Sequence, residues 1–324
     1  MKEEAVQTRC TSVRIHQTGG VEVLRVEEIE LAQPVLQSEQ ELIKVILAGV
    51  NFIDIYHRRG QYQIPLPTSL GIEGIGEDQR GRRVFWLNTL GSYAQAINAP
   101  KSALTTLPET DLSSEEILPL LCQGMTAHYL VDSAHRPASG DFALVTAAAG
   151  GVGLILIQLL VARKVRVIAC ASTPERAALA LQHGAEFAGT YSEMEELVNS
   201  ATGGLGVHVV YDSVGKDYFD QLLSLLAPSG MFILYGGASG PVPLFDLMRL
   251  NGKSLGIKRP TLATYTATAQ ERSRRLQELI ALVELGALKY PPTKVFSLLQ
   301  VQDAHRLIES RTHSGKIGLD PWKI

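Results

Sequence analysis

The sequence predicts a two-domain α/β protein, in which a mostly β domain made from both ends of the chain encloses a doubly wound parallel sheet. Three observations predict it. The chain has 324 residues, more than one ordinary core holds and comfortable for two. Up to about Pro119 the strand signals are short and punctuated by glycine and proline, whereas from about Leu120 to Pro260 a rhythm of strand, glycine turn and helix repeats. After Thr261 the helix and strand signals resume outside that rhythm, so the β domain (1–119) is expected to be completed by 261–324 around a parallel-sheet domain at 120–260.

In chain order, the β domain shows strand signals at Val13–Ile15, Glu41–Leu47, Arg83–Leu87 and Ala94–Ile97, with turn signals at Gly19-Gly20 and Pro65–Pro67. The second block carries short apolar runs at Ala143–Ala147, Val165–Cys170, Val207–Tyr211 and Met231–Tyr235, the pattern of parallel strands covered on both faces. Ser172-Thr173-Pro174-Glu175 and Ser192-Glu193-Met194-Glu195 read as capping boxes at helix starts. A charged helix at Gln270–Leu285, a strand at Lys294–Leu299 and a further helix close the chain.

Composition excludes several classes. Apolar residues make up 45% and charged residues 19% of the chain, enough to bury a core and too apolar for disorder. A net charge of −3 offers no broad positive field for nucleic acid or an anionic membrane. The polar stretch Met1–Cys10, with Glu3 and Glu4, does not read as a secretory signal. The longest apolar run, Val152–Ala162, is too short to span a bilayer. Three scattered cysteines, Cys10, Cys122 and Cys170, give no disulfide framework and suit a reducing cytoplasm.

The most informative motif follows the Ala143–Ala147 strand directly. Ala148-Ala149-Gly150-Gly151-Val152-Gly153 leads into the helical run Leu154–Ala162, a dinucleotide fingerprint with its first glycine replaced by alanine. Gly150 lets backbone approach a pyrophosphate, Gly153 lets helix and strand pack closely, and the helix N-terminus presents N–H groups to the phosphates. The next strand ends in Cys170-Ala171-Ser172-Thr173-Pro174-Glu175-Arg176. Two hydroxyls and a guanidinium suit the 2′-phosphate of NADPH, while the one nearby acid, Glu175, has a capping role. A purely structural account remains open, with Ser172 as a cap and Arg176 on a solvated face.

Taken together with Gly49-Val50-Asn51-Phe52-Ile53-Asp54-Ile55-Tyr56, Val209–Gly215, Arg259-Pro260, and Glu309–Arg311 followed by Gly315-Lys316, this motif makes the chain resemble the zinc-free quinone oxidoreductases. These are the zeta-crystallin-like branch of the medium-chain dehydrogenase/reductase superfamily. The resemblance runs from about Ser12 to Pro321. It implies a GroES-like β domain, a Rossmann domain, an active site in the cleft between them, NADPH as cofactor, and a homodimer formed through edge strands, with Met231–Tyr235 and Pro241–Phe245 as the candidates. It places Ser172, Arg176, Tyr191 and Arg311 at the adenosine and its 2′-phosphate, and Gly150, Gly151 and Val152 at the pyrophosphate. Thr126, Tyr235, Gly236 and Gly237 fall at the nicotinamide, and Ala149, Thr173 and Ser213 complete the cofactor set. Asn51, Asp54, Tyr56 and Tyr62 fall at the substrate end. Two departures are visible: Gly81-Arg82-Arg83-Val84 follows Gly76 early, shortening a hairpin, and Gly237 stands where relatives often have asparagine.

The architecture is shared with zinc alcohol dehydrogenases, but the ligand positions are not kept. Asn51 stands for the first cysteine, and Gly71-Ile72-Glu73 replaces Gly-His-Glu. No metal is expected, and His57 reads as a surface residue. The expected chemistry is hydride transfer to an activated acceptor, with Asn51, Tyr56 and Tyr62 able to donate hydrogen bonds to a carbonyl oxygen. The single Tyr-x-x-x-Lys spacing, Tyr290 to Lys294, is interrupted by Pro291-Pro292, and no Gly-x-Ser-x-Gly elbow is present. The leading expectation is an NADPH-dependent reductase of quinones or small conjugated carbonyls in the cytoplasm. The alternatives are an enoyl-thioester reductase and a non-catalytic NADPH-binding, crystallin-like or RNA-binding protein.

Overall fold

The protein is described by a computed structural model covering residues 7–34 and 38–323; the first six residues of the polar N-terminal stretch lie outside it. The elements run β1 (Gln7–Ile15), β2 (Arg25–Ala32), β3 (Gln40–Val50), α1 (Phe52–Arg59), β4 (Thr68–Ser69), β5 (Gly74–Glu77), β6 (Arg83–Trp86), β7 (Ala96–Pro100), β8 (Thr105–Thr106) and α2 (Ser114–Ile117). Next come α3 (Cys122–Tyr129), β9 (Phe142–Val145), α4 (Gly151–Ala162), β10 (Arg166–Ala171), α5 (Pro174–Gln182), β11 (Phe187–Thr190), α6 (Met194–Thr202), β12 (Val207–Asp212), α7 (Phe219–Ser224), β13 (Leu226–Leu234) and β14 (Gly256–Lys258). The last are α8 (Leu262–Tyr265), α9 (Ala269–Glu284), β15 (Lys294–Ser297), α10 (Val301–Ser310) and β16 (Ile317–Asp320).

Two compact units result. The first comprises residues up to Cys122, Thr266–Ile280 and the chain from Pro291; the second comprises Gln123–Tyr265 and Ala281–Tyr290. Residues 281–290 therefore sit with the parallel sheet and not, as the sequence suggested, with the β domain. The reason is local: Gln158 of α4 donates to the Lys289 carbonyl at 2.7 Å and accepts from the Lys289 N–H at 2.8 Å. Thr266–Ile280 belongs to the first unit through Arg272, a buried guanidinium that donates to Thr105 Oγ1 (2.7 Å) and to the Ser102 carbonyl (2.7 Å).

In the first unit, β1 pairs antiparallel with β2 and β4, and a seven-stranded sheet runs β15-β16-β3-β5-β6-β8 with β7 also paired to β3. The eleven-residue β3 is the hub, because its register shift between Val45 and Leu47 lets it serve β5 as well as β7 and β16. Val13, Ile15, Ile43, Val45, Trp86 and Tyr93 fill the core from the sheets, and Leu298, Val301 and Ala304 close it from the C-terminal part. The shortened hairpin is a tight turn between β5 and β6, where Asp78 Oδ1 accepts from the Arg80 and Arg82 N–H groups, both at 2.9 Å.

The second unit is an all-parallel sheet in the order β11-β10-β9-β12-β13-β14. Its order reverses between β9 and β12, the switch point where such sheets bind ligands. Two strands escape the sequence reading, β11 and β14. Since β14 pairs with β13, the Met231–Tyr235 strand is not the sheet edge expected from sequence.

Both expected capping boxes are displaced. Thr173, not Ser172, caps α5, accepting from the Arg176 N–H at 3.4 Å, because Pro174 occupies the first helical turn. The second box forms two residues earlier than expected, with Thr190 and Glu193 bonded reciprocally.

Candidate functional site

In the second unit the strand-to-helix turn carries the site. Ala147 adopts φ +46°, an uncommon left-handed conformation for alanine, and the Gly150 N–H returns to the Ala147 carbonyl at 2.8 Å to close the turn. Helix α4 starts at Gly151, so its first N–H groups have no carbonyl within the helix to bond. A Cβ at Gly153 would lie 2.5 Å from the Ala148 carbonyl oxygen, so only glycine permits the close packing of helix on strand. A Cβ at Gly151 would lie 2.5 Å from the Gln123 amide, which makes Gln123 of α3 a wall of the turn. No local pattern marks Gln123; the family resemblance points to Thr126, one helical turn further on and buried.

Arg176 is not on a solvated face. Its Nη2 donates to the Ala149 carbonyl at 3.0 Å, and partial burial lowers its pKa. Tyr191 accepts the Ala147 N–H on its phenol oxygen at 2.9 Å and stacks on Tyr218 with centroids 4.3 Å apart. Burial raises the Tyr191 pKa. Arg176, Tyr191, Ala149 and the glycines are thus brought together around one turn, with Ser172 and Thr173 exposed beside it.

At the switch point, Thr146 Oγ1 donates to Asp212 Oδ1 at 2.6 Å, tying the ends of β9 and β12. Asp212 is fully buried and also accepts from the Val214 and Gly215 N–H groups at 3.0 and 2.9 Å. Burial pushes its pKa up, against the pull of these bonds. The carboxylate shapes the loop bearing Ser213, which hydrogen-bonds the Tyr235 phenol. A Cβ at Gly236 would lie 2.7 Å from the Ser213 carbonyl oxygen, whereas one at Gly237 would meet nothing closer than 3.5 Å. Ser213, Tyr235 and Gly236 therefore form a second cluster in this unit, and Gly237 leaves open space beside it.

The first unit holds the expected substrate-end residues. Asn51 caps α1, and its N–H donates to Asp54 Oδ2 at 2.8 Å. The Asn51 side chain, however, is not a free donor. Nδ2 donates to Glu73 Oε2 at 2.5 Å, and Oδ1 accepts from Lys316 Nζ at 2.9 Å. Lys316 also bonds Glu73 Oε2 at 2.7 Å, and neither charged side chain has exposed surface. Sequence reasoning missed this pair: both residues lay in quoted motifs, but no local pattern marks a charge as buried. Asp54, also fully buried, has a pKa pushed up to about 7 by desolvation, and its Oδ1 has no partner among the described residues. The Cys122 N–H donates to Glu73 Oε1 at 3.3 Å, and burial pushes its thiol up to about 12.

Along α1, Tyr56 meets Tyr62 edge to face with centroids 5.5 Å apart, and Phe52 lies beside Tyr56. His57 is not a surface residue. It is buried, its ring lies against Tyr62, desolvation lowers its pKa, and its Nδ1 has no partner among the described residues. Arg311 belongs to the first unit, where it is the left-handed C-cap of α10. Among the described residues, no group of three or more His, Cys, Asp and Glu could hold a metal ion.

Comparison with known proteins places this geometry. Residues 151–284 match the family model described as zinc-binding dehydrogenase. A probable quinone oxidoreductase of Schizosaccharomyces pombe is 34% identical, covering 94% of this chain and 95% of that protein. A 2-haloacrylate reductase of Burkholderia is also 34% identical, covering 95% of this chain and 98% of that protein. The crystal structure of Escherichia coli quinone oxidoreductase complexed with NADPH superposes with a TM-score of 0.90 at 33% identity, covering 96% of this chain and 100% of that one. The likeness extends through the GroES-like and Rossmann parts alike, and the chain belongs to the quinone oxidoreductases of the medium-chain dehydrogenase/reductase superfamily.

Proposed function

We propose that this protein is an NADPH-dependent reductase of quinones and other small conjugated carbonyl compounds. The observation that carries the reading is the turn at Ala147–Gly153, whose glycines clear backbone space and onto which Arg176 and Tyr191 are folded. The groups present fit NADPH. The N–H groups of Gly151 and Val152 would hold the pyrophosphate at the positive end of α4, with Gly150, whose own N–H closes the turn, giving it room beside the backbone. Arg176, with Ser172, Thr173 and Tyr191, would hold the adenosine and its 2′-phosphate. Thr126, Ser213, Tyr235, Gly236 and Gly237 would line the nicotinamide end, with Ala149 beside the pyrophosphate.

When bound, NADPH supplies the hydride. The chain's own task is to hold the acceptor's carbonyl oxygen and stabilise the charge that develops on it. Asn51 is assigned that role, with Asp54 behind it and the phenols of Tyr56 and Tyr62 as further donors. The names of the relatives agree with the class of acceptor, since a haloacrylate, like a quinone, is an activated conjugated acceptor. The test is NADPH consumption with a panel of quinones, enones and an enoyl thioester, in wild type, Asn51→Ala and Tyr56→Phe. Enone turnover should fall sharply in the variants while NADPH affinity is kept. If neither variant slows the enone, the carbonyl is held elsewhere.

No helix among the described residues is long and apolar enough to cross a membrane, and a cytoplasmic, homodimeric enzyme is the assembly proposed. The pairing surface is reassigned from β13 to the edge strand β14 and the neighbouring segment, where Leu244, Leu247 and Met248 are exposed. Light scattering at the monomer mass across a wide concentration range would rule the dimer out.

A further inference from the structure

Three adjacent strands deliver the Asn51, Glu73 and Lys316 cluster. β16 pairs Ile317 with Val50 of β3, which puts Lys316 opposite Asn51. β5 pairs Gly74 with Ala48, and the Gly49 N–H donates to the Glu73 carbonyl at 3.1 Å, which puts Glu73 on the other side of β3. Gly49 completes the arrangement. A Cβ there would lie 2.6 Å from Glu73 Oε2 and 2.9 Å from Lys316 Cε, so glycine is required to make room for the ion pair.

A buried ion pair contributes little net stability, because desolvation offsets the attraction, and apolar replacements of equal volume are often as stable. What this pair does is set the orientation of one amide. With the ammonium on Oδ1 and the carboxylate on Nδ2, the reversed amide would place donor against donor and oxygen against oxygen. Among the described residues, the second Nδ2 hydrogen is engaged only by the Gly49 carbonyl, at 3.5 Å, the long limit of such a bond. Glu73 and Lys316 are 0% exposed and Asn51 is 6% exposed. Of these three side chains Asn51 alone has exposed surface, so a ligand meets its amide first.

We propose that Lys316 is a positioning residue of the carbonyl site, which acts through Asn51 by fixing its amide so that Nδ2 is the donor offered to an acceptor oxygen. The ammonium also draws on Oδ1, which strengthens the N–H as a donor. This rests on the assignment of Asn51 to the acceptor's carbonyl oxygen.

The test uses full-length protein in five forms: wild type, Asn51→Ala, Lys316→Met, Lys316→Met with Asn51→Ala, and Lys316→Met with Glu73→Gln. Two readouts are taken: enone kcat with the KM for NADPH, and the Asn51 side-chain signal in protein labelled with nitrogen-15 asparagine. Lys316→Met should lower enone kcat about 10- to 100-fold, as small misplacements near a reacting group do, and leave the NADPH KM unchanged. In the Asn51→Ala background it should lower kcat no further. The two Asn51 amide protons should be widely separated in wild type and converge in Lys316→Met. The Glu73→Gln, Lys316→Met double variant, which buries no unpaired charge from this ion pair, should behave in the same way and serves where the single variant does not fold. Losses that multiply with Asn51→Ala, or an unchanged amide signal in Lys316→Met, would overturn the proposal, as would failure of both Lys316→Met and the double variant to fold. Absence of NADPH-linked turnover in wild type would instead overturn the reductase reading, and the amide signal would still decide the role of Lys316.

Discussion

Tyr93 donates its phenolic hydrogen to Asp54 Oδ2 at 2.8 Å, and neither side chain has any exposed surface. Burial raises both pKa values, that of Asp54 to about 7. An acid with a raised folded pKa holds its proton in the native state after the unfolded chain has released it. Its contribution therefore favours the fold below about pH 4 and is lost as pH rises through about 7. A shift from 3.8 to about 7 sets an upper limit near 4 kcal/mol. Asp54→Asn, which mimics the protonated carboxyl and keeps an oxygen for the Asn51 N–H, should show a flatter decline in unfolding free energy between pH 5 and 8. Denaturant unfolding of both proteins across that range is the measurement. Parallel slopes would show that Asp54 does not titrate there.

The glycines of the turn should separate stability from binding. At Gly153 an added Cβ meets backbone, the Ala148 carbonyl oxygen at 2.5 Å, so Gly153→Ala should destabilise the protein by about 1–3 kcal/mol. At Gly151 it meets the end of a flexible side chain, Gln123, which can move. Gly151→Ala should keep the melting temperature nearly unchanged and weaken NADPH binding. Thermal unfolding and fluorescence titration with NADPH would read both effects.

Tyr191→Phe removes the oxygen that accepts the Ala147 N–H and keeps the ring stacked on Tyr218. An orphaned, partly buried N–H costs about 1–3 kcal/mol. The variant should lose stability of that order and bind NADPH more weakly, because Ala147 anchors the turn. Full stability together with full affinity would show that water replaces the phenol.

Arg176→Ala should raise the KM for NADPH about 10- to 100-fold, the worth of a charge-assisted bond of roughly 1.5–3 kcal/mol, and leave that for NADH nearly unchanged. Equal effects on both cofactors would mean that Arg176, bonded to the Ala149 carbonyl, supports the turn without reading the 2′-phosphate.

Features written in a local pattern are legible in the sequence. The glycine turn, the four apolar strands of the second unit and α9 fall where residue period and glycine placement put them. The strands β11 and β14 were not legible. Phe187-Ala188-Gly189-Thr190 and Gly256-Ile257-Lys258 carry no apolar run and become strands by pairing with β10 and β13. At α5 both Ser172 and Thr173 are competent caps, and the ring of Pro174 decides between them. The ion pair was the least legible feature, since Glu73 and Lys316 stand 243 residues apart and burial of a charge is a property of three strands together.

The pairing of β16 with β3 has a consequence for how the protein is made. Asn51 leaves the ribosome 265 residues before Lys316, and the whole parallel-sheet unit is synthesised in between. That unit can therefore collapse first, while β3 waits with one edge unpaired and Glu73 buries no counter-charge. Non-local pairing of this span is slow, and an open edge invites the wrong partner. A nascent or C-terminally clipped chain should accordingly present a folded nucleotide-binding half joined to a sticky, protease-sensitive β half. Pairing of β16 with β3 is the step that closes this edge.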